Sequence, residues 1–333
     1  MDAHHPGRRH HTRMHENMKH LLVLGASGFV GHHLCEALNR ANLRVLAPTR
    51  RLPARRIQTL PLVDVVQADI THPEVLQDLM QGVDAVINLV AILHGSPEAF
   101  ERVHVALPRL VAQCAVKAGV KQMVQVSALG IQGTGRESSH YLNSKAQGEA
   151  EMTRILFASA CALTVLRPSV IFAKDDQFIN FLAQLQQVFP FFPLASAQAR
   201  FQPVWVGDVV SAMLHVLNAR PGGALNPLAS PELEPVYELA GPEVKTFAEL
   251  VRLAGEHIGH PRPILPLPSG IARLQAFLME MMPGKPVMSR DNLDSMLTPN
   301  VASARYPGLE ALGVLAPKSL MSVFPPSPAQ RRD

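Results

Sequence analysis

The stretch that decides the fold runs from Leu21 to Gly31 and reads Leu-Leu-Val-Leu-Gly-Ala-Ser-Gly-Phe-Val-Gly. Its first four residues are a short apolar run, which is typical of a strand buried on both faces of a sheet. The residues from Val30 to Leu38 then place apolar side chains at helical spacing. A strand, a glycine turn and a helix in this order predict a site for a dinucleotide pyrophosphate, because unpaired amides and the positive dipole end of the helix face it.

The three glycines of the turn have different expected roles. Gly25 permits the tight turn, Gly28 lets the backbone approach the pyrophosphate, and Gly31 allows the helix to pack closely on the strand. We expect three other residues of this turn to contact the cofactor: Ser27, Phe29 and Val30. The alternative is a structural glycine turn that binds no ligand.

The end of the second strand bears on the choice of cofactor. An acidic residue there would bind the ribose hydroxyls of NAD, but the chain has Arg50 and Arg51, and no carboxylate until Asp64. Guanidinium groups bind a 2'-phosphate bidentately, whereas a carboxylate would repel it. The sequence therefore favours NADP(H), with Arg55 and Arg56 just beyond, and leaves NAD(H) open as the alternative if these arginines are only a solvated loop.

Strand and helix patterns alternate through the first half of the chain. Further strands are predicted at 43–47, 63–67, 85–90, 122–126 and 162–166, with helices at 73–80, 100–118 and 141–157. This alternation predicts an α/β fold, a Rossmann-type doubly wound parallel sheet with a smaller, mixed C-terminal lobe. Asp69 and Ile70 follow the third strand and are expected beside the adenine.

Composition changes along the chain suggest its division. Residues 1–17 contain five histidines and three arginines with almost nothing apolar, which indicates a disordered extension, with metal binding as the alternative. Prolines become frequent after residue 168. The predicted parts are a Rossmann domain at 18–175, to which 203–220 and about 236–242 return, a smaller lobe at 176–316, and a loose tail at 317–333.

Charge and cysteine content exclude several classes of protein. The formal net charge is +4, and the surplus comes largely from arginines at the two ends, so no nucleic-acid partner is expected. Cys35, Cys114 and Cys161 are far apart in apolar stretches, which predicts neither disulfides nor a metal site of cysteines. With no apolar run of membrane-spanning length and no secretory signal, the expected location is the cytoplasm.

A tyrosine and a lysine four residues apart, Tyr141 and Lys145, lie on one face of a predicted helix. A nearby ammonium favours the phenolate of a tyrosine, so this pair can exchange a proton with a substrate. The lysine can also hold the nicotinamide ribose. Ser127 precedes the pair at the end of a strand, which makes the combination more specific than the spacing alone.

Several strings in the same order resemble the short-chain dehydrogenase/reductase superfamily. They lie in its extended or atypical branch, the NAD-dependent epimerase/dehydratase family. The resemblance runs from about Lys19 to about Ala316 and is strongest to the subgroup of the NADPH-holding accessory subunit of mitochondrial complex I and its bacterial relatives. The strings that carry it are 88–93, 126–130, 141–149, 167–172, 202–209 and 237–242.

The resemblance implies roles for individual residues. Tyr141 matches the acid/base, Lys145 its partner, and Ser127 the serine that polarises a substrate carbonyl. The resemblance implies that Leu89, Val90 and Ala91 pack against the cofactor, as do Pro168 and Val170 after the sixth strand.

The chain also departs from the pattern of the superfamily. Ala128 and Leu129 stand where a catalytic serine or threonine is frequent, and His104 stands near a position that is often asparagine. Relatives in the subgroup can keep the tyrosine and lysine without being enzymes.

Three functions therefore stay open. The first is an NADP(H)-dependent oxidoreductase or isomerase acting on an apolar carbonyl or quinone-like substrate. The second is a non-catalytic NADPH-holding accessory or assembly protein for a respiratory-chain or ubiquinone-synthesis complex, and the third is a sensor of the NADP(H) ratio.

The helix predicted at Ser269 to Met282 either docks on a membrane or partner or packs inside the second lobe. Likewise, four phenylalanines line an apolar cavity or pack the core: Phe178, Phe181, Phe191 and Phe192.

Overall fold

The computed structural model describes residues 20–132, 137–218, 236–281 and 288–327. The predicted extension at 1–17 and the last residue of the helix predicted to end at Met282 lie outside these ranges.

The described strands alternate with helices along the chain. The strands are β1 (His20–Leu24), β2 (Arg44–Thr49), β3 (Val63–Gln67), β4 (Ala85–Asn88), β5 (Gln122–Val126), β6 (Ala162–Pro168), β7 (Ile171–Phe172), β8 (Phe192–Leu194), β9 (Arg200–Phe201), β10 (Val204–Trp205), β11 (Val236–Leu239), β12 (Lys245–Thr246) and β13 (Ile264–Pro266). The α-helices are α1 (Phe29–Arg40), α2 (Pro73–Leu79), α3 (Pro97–Phe100), α4 (Leu107–Ala118), α5 (His140–Leu156), α6 (Phe178–Val188), α7 (Val206–Asn218), α8 (Phe247–His257), α9 (Ser269–Glu280), α10 (Arg290–Ser295) and α11 (Leu320–Val323).

Seven strands form one parallel sheet in the order β11-β6-β5-β4-β1-β2-β3. The chain starts in the middle at β1, moves outward to β3, and then crosses to β4 on the other side of β1. This order confirms the predicted Rossmann-type fold. The reversal places a crevice outside the carboxyl ends of β1 and β4, where open α/β sheets bind ligands.

Alternate residues of β1 supply two separate cores, because successive side chains of a strand point to opposite faces. Leu21 and Val23 pack against α1 and α7 on one face, whereas Leu22 and Leu24 pack against α2 and α4 on the other. All four are fully buried. Each contributes about 1.5–3 kcal/mol of apolar transfer free energy, which explains why the four buried positions of β1, 21–24, contain no polar residue.

A third core lies under the C-terminal part of the chain, where α6 packs on α8. Phe178 stacks on Phe247 there, and Phe192 is buried in the same core. Of the four phenylalanines, Phe191 is half-exposed. The structure therefore favours core packing over a cavity lining for Phe178 and Phe192. Helix α8 begins after Thr246, which forms a capping box with Glu249.

The prediction of a loose tail from residue 317 is wrong for its first half. Leu320, Val323 and Phe324 are buried in the third core, and the ring of Phe324 lies 6.3 Å from that of Phe172. Spacings of three and four residues place these side chains on one face of α11. The prolines that flank this short helix favoured the prediction of a loose tail, so its apolar face was not predicted from the sequence.

The predicted helix at 100–118 is interrupted by one wide turn. Residues Glu101–Ala106 form a π-helix between α3 and α4. Such turns occur mostly as single insertions, frequently at functional sites. This one packs against α5, the helix of Tyr141 and Lys145.

Candidate functional site

The glycine turn closes onto the first turn of α1. The Gly25 backbone has a φ of +86°, which favours glycine, and the Gly28 amide donates to the Gly25 carbonyl at 3.0 Å. A Cβ at Gly31 would overlap the carbonyl oxygens of Gly25 and Ala26. The turn thus has the close helix-strand packing and the bare backbone that a pyrophosphate needs, and its residues fit a dinucleotide.

The end of β4 lies directly beside this turn. A Cβ at Gly25 would stand 3.2 Å from the carbonyl carbon of Leu89 and 3.3 Å from the nitrogen of Val90. Asn88 fixes the segment, because its side-chain oxygen accepts from the Val90 amide at 3.2 Å and its nitrogen donates to Gln125 at 2.8 Å. Ala91 follows and is exposed. The structure therefore brings the predicted Leu89–Val90 pair to the glycine turn.

The carboxyl ends of β2 and β3 extend the same edge. Arg50 and Arg51 are exposed, and within the described residues neither side chain makes a hydrogen bond or an ion pair. Asp69 accepts hydrogen bonds from the amide and hydroxyl of Thr71 at 3.0 and 2.8 Å, which lower its pKa. Ile70 packs on the second core. Arg56 differs from Arg50 and Arg51, because it is paired with Asp175 at 2.8 Å.

Lys145 reaches from α5 to the end of β5. Its Nζ donates to the carbonyl of Val126 at 2.8 Å, so the ammonium lies beside the residue that precedes Ser127. Burial lowers the pKa of Lys145 to about 8, although Glu149 opposes that shift. The Ser127 hydroxyl is buried, and among the described residues it has no hydrogen-bond partner. A buried hydroxyl costs free energy unless it is hydrogen-bonded, so this one fits a group that a ligand satisfies.

The Tyr141 ring packs edge-on against two rings of the preceding helical segment, those of His104 at 5.4 Å and Phe100 at 6.1 Å. Burial raises the pKa of Tyr141 to about 12. Burial is the only cause of this shift, so the lowering of the pKa that was expected from Lys145 is absent. The phenol stays protonated at neutral pH, which is the form that can donate a proton to a carbonyl oxygen.

His104 connects three elements around Tyr141. Its Nε2 accepts from the Ile92 amide at 3.1 Å, so the neutral ring has its proton on Nδ1 and donates to Ser144 Oγ at 2.9 Å. Ser144 in turn donates to the Tyr141 carbonyl at 2.8 Å. A Cβ at Gly148 would overlap the His104 carbonyl oxygen, so this glycine lets the π-helix lie directly on α5.

Burial, and next the charge of Lys145, lower the pKa of His104 to about 3 from 6.5. Between about pH 6.5 and pH 3 this group is neutral when folded and protonated when unfolded, so acid favours the unfolded chain. We expect the protonation of this histidine in the unfolded chain to lower the free energy of unfolding by about 2 kcal/mol between pH 7 and pH 5. The His104→Asn chain should lose correspondingly less unfolding free energy between pH 7 and pH 5 than the unmodified chain. Urea unfolding at both pH values measures the difference.

The exposed His260 provides the matched control, since His260→Asn should leave the difference between pH 7 and pH 5 unchanged. An equal loss of stability in His104→Asn and the unmodified chain would contradict the assignment of a neutral His104.

The second lobe supplies two site residues that sequence reasoning missed. Asp291 in α10 accepts from the amides of His140 and Tyr141 at 2.6 and 3.1 Å, at the first turn of α5. Asn300 accepts from the Val170 amide at 3.1 Å and donates to the Leu129 carbonyl at 3.2 Å. Neither contact has a signal in the sequence, because the partners lie more than 100 residues apart.

Two of the predicted cofactor positions, Pro168 and Val170, lie at the end of β6. The Pro168 carbonyl accepts from the Leu129 amide at 2.9 Å, and the Val170 amide is the one bound by Asn300. The structure thus brings the glycine turn, the ends of β2 to β6 and the Tyr141–Lys145 pair to one edge of the sheet.

The fold and this edge define a dinucleotide-binding type of α/β protein with short-chain dehydrogenase architecture. The chain belongs to the NAD dependent epimerase/dehydratase family, whose model matches residues 21–226.

Among curated relatives, mouse NADH dehydrogenase [ubiquinone] 1 alpha subcomplex subunit 9, mitochondrial, is 29% identical over 301 residues. The match covers 88% of this chain and 75% of that protein. Ceramide reductase from Caulobacter vibrioides is 30% identical over 195 residues, or 58% of this chain and 59% of that protein.

Solved structures share the fold at low identity. The crystal structure of gox2253 aligns with a TM-score of 0.69 and 19% identity, covering 92% of this chain and 96% of that one. UDP-glucuronic acid 4-epimerase from Bacillus cereus aligns with a TM-score of 0.62 and 18% identity, covering 88% and 97%. None of the helices in the described parts of the chain is long and apolar enough to span a bilayer.

Proposed function

We propose that this protein is an NADP(H)-dependent oxidoreductase that acts on an apolar carbonyl or quinone-like substrate. The observation that carries the proposal is the buried hydroxyl of Ser127, which has no hydrogen-bond partner among the described residues. It follows directly after Val126, whose carbonyl binds Lys145, at the sheet edge that also holds the glycine turn. An isomerase that uses the same groups is a variant of this function.

Each residue of the site has a distinct role in the proposed reaction. The bound nicotinamide supplies or accepts the hydride. Ser127 donates a hydrogen bond to the substrate oxygen, and Tyr141 gives that oxygen its proton when the carbonyl is reduced. Lys145 places a positive charge at the end of β5, where it favours the phenolate that is left. In the reverse direction the same tyrosine takes the proton back.

The preference for NADP(H) rests on Arg50 and Arg51. Both are exposed at the end of β2, with no carboxylate paired to either among the described residues. They are therefore available to a 2'-phosphate, unlike the paired Arg56.

We expect Arg50→Asp and Arg51→Asp each to weaken NADPH binding by about 10-fold or more, since a charge-assisted hydrogen bond contributes about 1.5–3 kcal/mol. NADH binding should change little. Fluorescence titration with both cofactors measures the two affinities. Arg252→Asp is the control because Arg252 is an exposed arginine on α8, away from the end of β2. Equal losses for NADPH and NADH would contradict the assignment.

The apolar character of the substrate is supported by exposed apolar side chains around α10, the helix whose Asp291 binds the first turn of α5. Asn292 in α10 donates to the carbonyl of Leu93, whose side chain is 63% exposed. The guanidinium of Arg290, next to Asp291, lies 5.1 Å from the ring centre of Phe277 in α9. The exposed apolar side chains of α9 therefore lie next to α10, the helix whose Asp291 binds the Tyr141 amide. Ceramide reductase, a relative, is named for an apolar substrate.

The test begins with the protein as purified. Fluorescence and mass spectrometry would identify a bound dinucleotide, and NADPH oxidation would then be followed with quinones and hydrophobic carbonyl compounds. Substrate-dependent oxidation supports the oxidoreductase. NADPH that survives dialysis and that no compound oxidises would overturn it in favour of the second candidate.

A second candidate is a non-catalytic NADPH-holding accessory or assembly protein at the inner, cytoplasmic face of a membrane. It is supported by α9, where Ala272 and Ala276 face the protein while the large apolar side chains face outward: Ile271, Leu274, Phe277, Leu278 and Met281. A relative is named as a subunit of NADH dehydrogenase [ubiquinone] 1. Flotation with anionic vesicles, lost in Leu274→Glu and Leu278→Glu, would support this role. A chain that stays wholly off the vesicles would count against it.

A further inference from the structure

Three side chains converge on one point at the start of α1. The Nε2 of His32 lies 3.1 Å from one carboxylate oxygen of Asp175, and the Nε2 of His33 lies 3.0 Å from the other. Asp175 follows β7, so it reaches α1 from a segment more than 140 residues away. The three ligand atoms all lie within 4.8 Å of one another. The proposed oxidoreductase reaction uses none of these groups.

The tautomer of the neutral His32 ring makes this arrangement unusual. Its Nδ1 lies 3.0 Å from the Gly28 carbonyl oxygen, which can only accept, so Nδ1 has the proton. The Nε2 of a neutral ring then has a bare lone pair, and this lone pair points at the Asp175 carboxylate. Two electron pairs at hydrogen-bond distance repel unless a cation or a proton lies between them.

The guanidinium of Arg56 supplies a positive charge beside both atoms, the His32 Nε2 and the Asp175 oxygen. Its Nη1 is 2.8 Å from the Asp175 oxygen and 3.1 Å from the His32 Nε2. The Arg56 side chain is 59% exposed, whereas that of His32 is only 5% exposed. Packing therefore holds His32 in place, whereas Arg56 can swing out into solvent. The other two ligands, His33 and Asp175, are 26% and 36% exposed, so an ion can reach them.

We propose that His32, His33 and Asp175 bind a divalent transition-metal ion of the Zn²⁺ or Co²⁺ class, in competition with Arg56. Two imidazole nitrogens and a carboxylate oxygen are ligands that such ions accept, and water completes the coordination. A metal-ligating histidine almost always donates its other ring N–H to a carbonyl or carboxylate, as His32 does to Gly28. The ion would link the first turn of α1 to the segment after β7.

The test must first remove a competing metal ligand, the histidine-rich N-terminus. The full chain is prepared with His4, His5, His10, His11 and His15 replaced by glutamine. Zn²⁺ is then titrated by calorimetry, and Co²⁺ by visible absorption, which reports coordination directly. We expect one ion per chain.

Three variants of this chain assign the ion to its ligands. His33→Ala and Asp175→Asn should each weaken binding at least 10-fold. Arg56→Gln should tighten metal binding several-fold because the substitution removes the competing guanidinium. A folding defect would weaken binding, so it cannot produce this increase. His260→Ala, at an exposed histidine elsewhere, should change nothing.

Two results would overturn the site. Absence of binding at micromolar Zn²⁺ would mean that His32, His33 and Asp175 form only a hydrogen-bonded cluster with Arg56. Binding that is insensitive to His33→Ala, Asp175→Asn and Arg56→Gln would place the ion elsewhere. Neither result depends on whether the chain turns over NADPH, so the metal site and the oxidoreductase function fail separately.

Discussion

A chain carrying Tyr141→Phe is expected to lose about 10²- to 10⁴-fold in kcat for NADPH-dependent reduction, the usual contribution of a positioned general acid. The substitution removes one oxygen atom and keeps the ring that packs against His104 and Phe100. Fold and cofactor affinity should therefore be nearly unchanged. Steady-state kinetics and a fluorescence titration with NADPH measure the two quantities on the same preparation.

Tyr237→Phe is the matched control for this substitution. Tyr237 is buried in β11 at the edge of the main sheet, so its loss of a hydroxyl reports any general effect of the change. The control should retain turnover. Unchanged turnover in Tyr141→Phe would exclude this tyrosine as the proton donor, even if NADPH is oxidised.

The largest expected effect on stability comes from Glu149→Gln. Glu149 in α5 and Arg167 in β6 form a buried ion pair, with side chains 9% and 7% exposed, and the Arg167 Nε donates to the carboxylate at 3.0 Å. The glutamine would leave the guanidinium buried without its counter-charge. Removing one partner of such a pair costs about 3–5 kcal/mol, and urea unfolding should show a loss of this size.

Glu151→Gln is the comparison for the same helix. Its carboxylate binds Arg109 and Arg154, whose side chains are largely exposed, so water replaces the lost contacts and stability should change little. Equal stability of the Glu149 and Glu151 variants would contradict the view that burial makes the first pair indispensable. Because Glu149 also raises the pKa of Lys145, its loss should leave that ammonium easier to deprotonate.

The sequence by itself determined those features that depend on residues close together in the chain. The run from Leu21 to Gly31 predicts a buried strand, a turn and a helix, because each needs only its own residue types and spacing. The alternation of strands and helices predicts a parallel sheet. The position of Tyr141 relative to Lys145 follows from helix geometry in the same way.

Only the tertiary structure decided which distant groups meet. Asp291 binds the first turn of α5 across 150 residues, and His104 takes its tautomer from Ile92. Arg56 pairs with Asp175 instead of joining Arg50 and Arg51. Charge and polarity state what a side chain can bind, but not which partner lies within reach. Packing of the two lobes settles that choice, since burial brings some pairs together and leaves other groups, such as the Ser127 hydroxyl, without a partner among the described residues.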